Sequence, residues 1–157
     1  MIDLRKSPES LLVQALELNS AVRHWTSAMD MARLRALLGW AAAAPAVIRG
    51  ERLEGYLLGF APDSAYDSPN YRWFSARLQR FAYVDRVIVA PSAQGQGVAR
   101  ALYAEFAARL PGPLVCEVNS DPPNPGSDAF HERLGFVEIG CARLGPGKAV
   151  RYLALEA

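Results

Sequence analysis

The chain has little of what holds small or redox-active proteins together. Its 157 residues include two cysteines and two histidines. Cys116 and Cys141 are too few for a disulfide scaffold, and no C-x-x-C spacing offers a metal or redox pair. Both lie among apolar neighbours, so buried, reduced thiols are expected. Charge of one sign is not in excess: 17 Lys and Arg face 16 Asp and Glu, a formal net charge of +1. That excludes a global basic field for nucleic acid and the acidic balance of a disordered chain. No apolar run reaches the ~18 residues of a membrane span. Residues 1–8, Met-Ile-Asp-Leu-Arg-Lys-Ser-Pro, lack the apolar core of a secretory leader, and a cytoplasmic protein is expected.

What is present suits one folded domain, residues 1–157. The composition is 51% hydrophobic and 21% charged, enough for a core at this length. Leu11, Leu12, Ala15, Leu16 and Leu18 form a helical stripe after Ser7-Pro8. Met31, Leu34, Leu37 and Leu38 form a second, starting near Asp30. Residues 46–48 and 53–60 read as strands joined by a hairpin at 50–52. Ser68-Pro69-Asn70 starts a short helix through Tyr71, Trp73 and Phe74. Residues 83–90 are the strongest strand, β-branched and nearly continuous, and so covered on both faces.

Val98, Leu102, Phe106 and Leu110 then repeat at helical spacing until Pro111-Gly112-Pro113. Residues 114–119 are another buried strand. Asn124-Pro125 caps a helix that carries Phe130 and Leu134 and ends at Gly135. Residues 136–144 and 149–155 close the chain as a hairpin. The order predicts an α/β (α+β) domain with a mixed sheet, not a repeated βαβ winding. Residues 1–44 form a helical N-terminal part and 45–157 the core.

The most informative stretch is 87–99, Val-Ile-Val-Ala-Pro-Ser-Ala-Gln-Gly-Gln-Gly-Val-Ala. A strand runs into a glycine turn and then a helix, so bared backbone amides make an anion site. A Walker loop is excluded, because Val98-Ala99 follows Gly97 where Lys and Ser or Thr are needed. A dinucleotide turn lacks its third glycine, since that position is Arg100. A glycine turn without a ligand stays open.

The remaining pattern, Gln94-x-x-Gly97-x-Ala99, resembles the acyl-CoA signature Arg/Gln-x-x-Gly-x-Gly/Ala of the GNAT superfamily of N-acetyltransferases. Glu117-Val118, Asn124 and residues 129–136, Ala-Phe-His-Glu-Arg-Leu-Gly-Phe, resemble that superfamily's late strand, loop and helix. The segment Ser68-Pro-Asn-Tyr-Arg-Trp-Phe with Tyr83-Val-Asp-Arg is similar to a branch of uncharacterised acetyltransferases. The resemblance covers about residues 45–155. It implies a mostly antiparallel central sheet flanked by helices, with acetyl-CoA or coenzyme A as cosubstrate and no metal.

By that resemblance, backbone amides of Gln94, Gly95, Gln96, Gly97, Val98 and Ala99 hold the pyrophosphate. The main chain of Val87, Ile88 and Val89 pairs with pantetheine and supplies an oxyanion donor. Asn124 and Phe130 contact the arm. Asn124 has an equal reading as a helix cap, and Arg100 reaches a phosphate or solvent.

Acetyl transfer to an amine needs a base, a stabilised oxyanion and a proton for the leaving thiolate. Glu117, inside a buried strand, matches a base position of the superfamily; its alternative is a structural ion pair. Asp85 in the adjacent strand is the second candidate, with pairing to Arg86 as its alternative. The usual acid is a tyrosine where this chain has His131, with Tyr83 or Tyr103 as substitutes. His24, beside Trp25, reads as surface or packing.

Residues 61–79 carry Tyr66, Tyr71, Trp73 and Phe74 with Asp63 and Asp67. They read as a lid whose acids attract a cationic amine, or as a hydrophobic cluster or a homodimer contact. The expected activity is N-acetyl transfer to a primary amine of a small molecule or peptide by direct ternary-complex transfer. No nucleic acid or membrane is expected as partner. The alternative is a non-catalytic acyl-CoA-binding module.

Overall fold

The computed structural model describes residues 1–22 and 28–156; His24 and Trp25 lie outside the described residues. Two strand segments, β2 (Pro45–Arg49) and β3 (Arg52–Phe60), form the expected hairpin. It is extended by β1 (Ile2–Asp3), which pairs with β2 inside the region expected to be helical. Two helices, α1 (Glu9–Ala21) and α2 (Met31–Trp40), lie between β1 and β2. Asp30 caps α2 by accepting from the Arg33 amide. Then follow α3 (Pro69–Ser75), β4 (Ala82–Val89), α4 (Val98–Ala107), β5 (Leu114–Asp121), α5 (Pro125–Leu134) and the hairpin β6 (Val137–Gly145), β7 (Lys148–Leu155).

The strands make one sheet in the order β1-β2-β3-β4-β5-β7-β6. Every neighbouring pair is antiparallel except β4 and β5, which are parallel. This is the mixed, mostly antiparallel sheet expected from the sequence. Apolar side chains alternate between two cores because successive residues of a strand point to opposite faces. On one face Tyr56, Leu58 and Phe60 join Leu12, Ala15, Leu34, Leu37 and Phe74 from α1, α2 and α3. On the other, Leu57 joins Val98, Leu102 and Phe106 from α4.

Two irregularities position the site. The first is a bulge in β4. Leu58 pairs with Arg86 and Gly59 with Val84, so Asp85 is an extra residue. Before it, Tyr83 faces the α1–α3 core and Ala82 and Val84 the α4 core; after it, Ile88 faces the first and Val87 and Val89 the second. The parity flips, and Asp85 and Arg86 fall side by side on the α1–α3 face.

The second irregularity is a splay. Only Ala82↔Leu114 and Tyr83↔Val115 pair β4 with β5. Beyond them the strands part. On its other edge β4 stays bonded to β3, where the Ala90 amide donates to the Glu54 carbonyl at 2.8 Å. In an antiparallel ladder the groups facing one neighbour alternate. Residues 88 and 90 therefore face β3, while Val87 and Val89 turn their N–H and C=O into the gap.

The 61–79 segment is part of the core. Tyr66, Tyr71 and Phe74 are buried, and Trp73 stacks on Tyr152 with ring centroids 4.1 Å apart. Ser68 caps α3 and Pro69 opens it, as expected. Cys116 is buried, but Cys141 is exposed. Cys141 lies on β6, an edge strand whose Val137 and Ile139 are also exposed. Its apolar sequence neighbours signalled a strand, not a covered one.

Candidate active site

The glycine turn ends β4 and opens α4. Gly95 and Gly97 have φ of +78° and +80°, a left-handed backbone that β-carbons disfavour. Gly97 caps α4 without a side-chain hydrogen bond, and the Ala101 amide is the one that returns to the Gly97 carbonyl at 3.0 Å. The amides of Val98, Ala99 and Arg100 precede that first intrahelical bond, so they are the helix's open donors. A Cβ built on Gly95 or Gly97 meets no atom within 4 Å. The space over the turn is open, and the dipole end faces it.

This turn forms one wall of a groove of about 600 Å³ on the α4–α5 face. Val87, Ile88 and Val89 line it from β4; Asn124, Phe130 and His131 line it from α5. Gln94, Gly95, Gly97, Val98, Ala99 and Arg100 complete the wall. Gln96, whose backbone amide was also assigned there from the sequence, is not among the residues lining the groove, and its side-chain Nε2 donates to the Ser92 carbonyl while its Oε1 accepts from Arg49. Asn124 does two jobs. Its Oδ1 caps α5 by accepting from the Ser127 amide at 3.3 Å, and it lines the groove.

The groove fits the pyrophosphate and pantetheine of coenzyme A. Bare amides at the helix start suit the phosphates, and the open edge of β4 suits an amide-bearing arm.

A small cavity of about 140 Å³ fills the splay. It shares Val87, Asn124, Ser127 and His131 with the groove. It shares Asp85, Arg86, Glu117 and Asn119 with a cleft of about 670 Å³ on the α3 side. The sheet is thus perforated, with Glu117 at the perforation.

Glu117 is half-buried and accepts from the Tyr83 hydroxyl at 2.6 Å. Burial, followed by the nearby Asp85 carboxylate, pushes the Glu117 carboxyl up to about 8. Asp85 is engaged differently. It accepts from Arg86 at 2.7 Å and from the Tyr66 hydroxyl at 2.5 Å. The Asp85 and Arg86 side chains are 7% and 6% exposed, a buried pair, and Arg86 also donates to Asn19 Oδ1 at 3.0 Å. The ion-pair reading of Asp85 is the one found. Burial, then Glu117 and Asp85, push the Tyr83 phenol well above its ordinary value.

His131 is held by both ring nitrogens. Nδ1 lies 2.7 Å from the Ser127 carbonyl and Nε2 2.7 Å from the Tyr103 hydroxyl. A carbonyl only accepts, so Nδ1 carries the proton and Nε2 takes the Tyr103 hydrogen. Burial lowers the imidazole's pKa, which favours this neutral form. His131 is thus not arranged as the free proton donor that its place in the sequence suggested. The sequence reading also missed the phenol partners, Tyr66 on Asp85 and Tyr83 on Glu117. The alternation that puts Val115 and Glu117 on the face of Tyr83 was available; the bulge that brings Asp85 there was not.

The chain resembles known proteins over most of its length. The family model "Acetyltransferase (GNAT) family" matches residues 13–136. A phosphinothricin N-acetyltransferase from Alcaligenes faecalis is 38% identical over 91 residues, 55% of this chain. The match spans 42% of that relative's length.

Among solved structures, the ribosomal-protein-alanine N-acetyltransferase from Brucella melitensis aligns with a TM-score of 0.68 at 20% identity. That alignment covers 96% of this chain and 97% of the other. The Salmonella typhimurium protein yncA, solved with its cofactor acetyl-CoA, aligns with a TM-score of 0.66 at 18% identity, over 96% and 90% of the two chains. The chain belongs to the acetyltransferase (GNAT) family, whose cosubstrate is acetyl-CoA.

Proposed function

We propose that this acetyltransferase moves an acetyl group directly to a primary amine, with Glu117 as the general base. The observation that carries the reading is the perforated sheet. A groove fit for coenzyme A and a separate cleft lie on opposite faces, the small cavity in the splay shares lining residues with each, and Glu117 lines that cavity and the cleft. When bound, acetyl-CoA supplies an activated thioester.

The chain's own residues supply the rest. The amides of Val87 and Val89 face the gap and are donors for a carbonyl oxygen. An amine must be neutral to attack, and a carboxyl poised at about 8 accepts a proton far more readily than an exposed one near 4.5. Tyr83 steers the Glu117 carboxylate by its hydrogen bond. His131 acts as a positioning residue that holds the Tyr103 hydroxyl at the edge of the cavity.

The test combines two measurements, coenzyme A binding by calorimetry and thiol release with an amine panel. Gly97→Glu places a carboxylate on a left-handed backbone beside the phosphates and is expected to weaken coenzyme A binding at least about tenfold. Unchanged binding in that variant would reject the groove as the cofactor site. Tight binding in the native protein without thiol release from acetyl-CoA in the presence of any amine would leave a binding module instead of an enzyme.

A further inference from the structure

The cleft on the α3 side is lined by charges of both signs. Arg33, Arg86, Arg143 and Lys148 line it against Asp67, Asp85 and Glu117. Asp121 adds one more carboxylate, pairing with Arg143 at 3.2 Å across an exposed rim. The paired groups nearly cancel: Arg33 with Asp67, Arg86 with Asp85, Arg143 with Asp121. Lys148 and Glu117 remain, and among the described residues no carboxylate stands within ion-pair distance of Lys148. A second donor points the same way. Tyr152 donates to Asn70 Oδ1 at 2.8 Å, which fixes the amide and leaves its N–H groups for a ligand.

These groups share one face. Val150 and Tyr152 of β7 pack in the α1–α3 core, and Lys148 has their parity. Glu117 pairs across the ladder with Tyr152. Lys148 lies four residues further along, about 13 Å at ~3.3 Å per residue. Lys148 and Glu117 line the same cleft.

Resting on the acetyltransferase reading above, we propose that the acceptor is a small amine bearing an oxyanion several bonds from its nitrogen. The amine meets Glu117 and the oxyanion meets Lys148 and the Asn70 amide. This replaces the expectation that Asp63 and Asp67 attract a cationic amine, because Asp63 does not line the cleft and Asp67 is already held by Arg33 at 2.9 Å. The distal ammonium of a polyamine would meet Lys148 where an oxyanion would meet it favourably.

Initial rates of thiol release from acetyl-CoA test the proposal with matched acceptors. We compare 5-aminovalerate with 5-aminovaleramide, glutamate with glutamine, and spermidine. The carboxylate members are expected to exceed their amides at least about tenfold in kcat/KM, an advantage that shrinks as salt rises. Lys148→Ala should erode that advantage through KM, and Lys148→Arg should restore most of it. Amides or spermidine used as well as the acids would overturn the oxyanion site while leaving the acetyltransferase reading intact. No release with any acceptor, with coenzyme A still bound, would overturn both.

Discussion

Glu117 and Asp85 show how environment separates two carboxyls of one cluster. Asp85 has Arg86 at 2.7 Å, whereas the Glu117 carboxyl accepts from the neutral Tyr83 hydroxyl at 2.6 Å and has no ion pair among the described residues. Burial therefore falls on Glu117 and pushes it up to about 8. Glu117→Gln is expected to lower kcat by about 10²–10³-fold with coenzyme A affinity kept. In the native enzyme kcat/KM should rise with pH along a limb near 8, and the variant should lose that limb.

The same group sets a stability trend. Below its ordinary value of 4.5 both folded and unfolded chains hold the proton; between there and about 8 only the unfolded chain releases it. Stability contributed by the proton is thus lost as pH rises through about 8. Thermal melts between pH 6 and 9 should fall more steeply for the native protein than for Glu117→Gln. At this scale the sequence was informative where one residue type has one use. A carboxyl between Cys116 and Val118 in an apolar strand pointed to a shifted group. A histidine in a tyrosine's place did not reveal that Ser127 and Tyr103 would occupy both its nitrogens.

Elements explain what single residues do not. The β4 strand, its glycine turn and the α4 stripe were legible because apolar periodicity and glycine are local signals. The bulge at Asp85 was not, since it depends on how Leu58 and Gly59 of β3 meet β4. The α3 segment was legible as a helix from Ser68-Pro69, and a hydrophobic cluster was one of the readings its aromatics allowed. What fixes it is Trp73 stacked on Tyr152 in β7, far away in sequence. Gly140 on β6 makes room for that ring, and a Cβ there would strike Trp73. Gly140→Ala is expected to destabilise by about 1–3 kcal/mol, as overpacking does. Denaturant unfolding of Gly140→Ala beside Gly145→Ala, where a Cβ meets nothing within 4 Å, isolates the effect.

Across the whole molecule the sheet is two smaller sheets, β1–β4 and β5–β7, joined at one end by two register pairs. The fold class followed from the order of elements, but the splay did not, because nothing local marks where two parallel strands stop pairing. Without ligand, the open edge of β4 makes a comb in amide exchange. The Val87 and Val89 N–H groups should exchange with solvent deuterium faster than those of Ile88 and Ala90, which are bonded to β3. Coenzyme A should slow the fast teeth selectively, and equal protection along 87–90 before and after binding would contradict the geometry. A cosubstrate that completed the seam would become a structural strand for as long as it stayed, and each turnover would then zip and unzip the centre of the sheet.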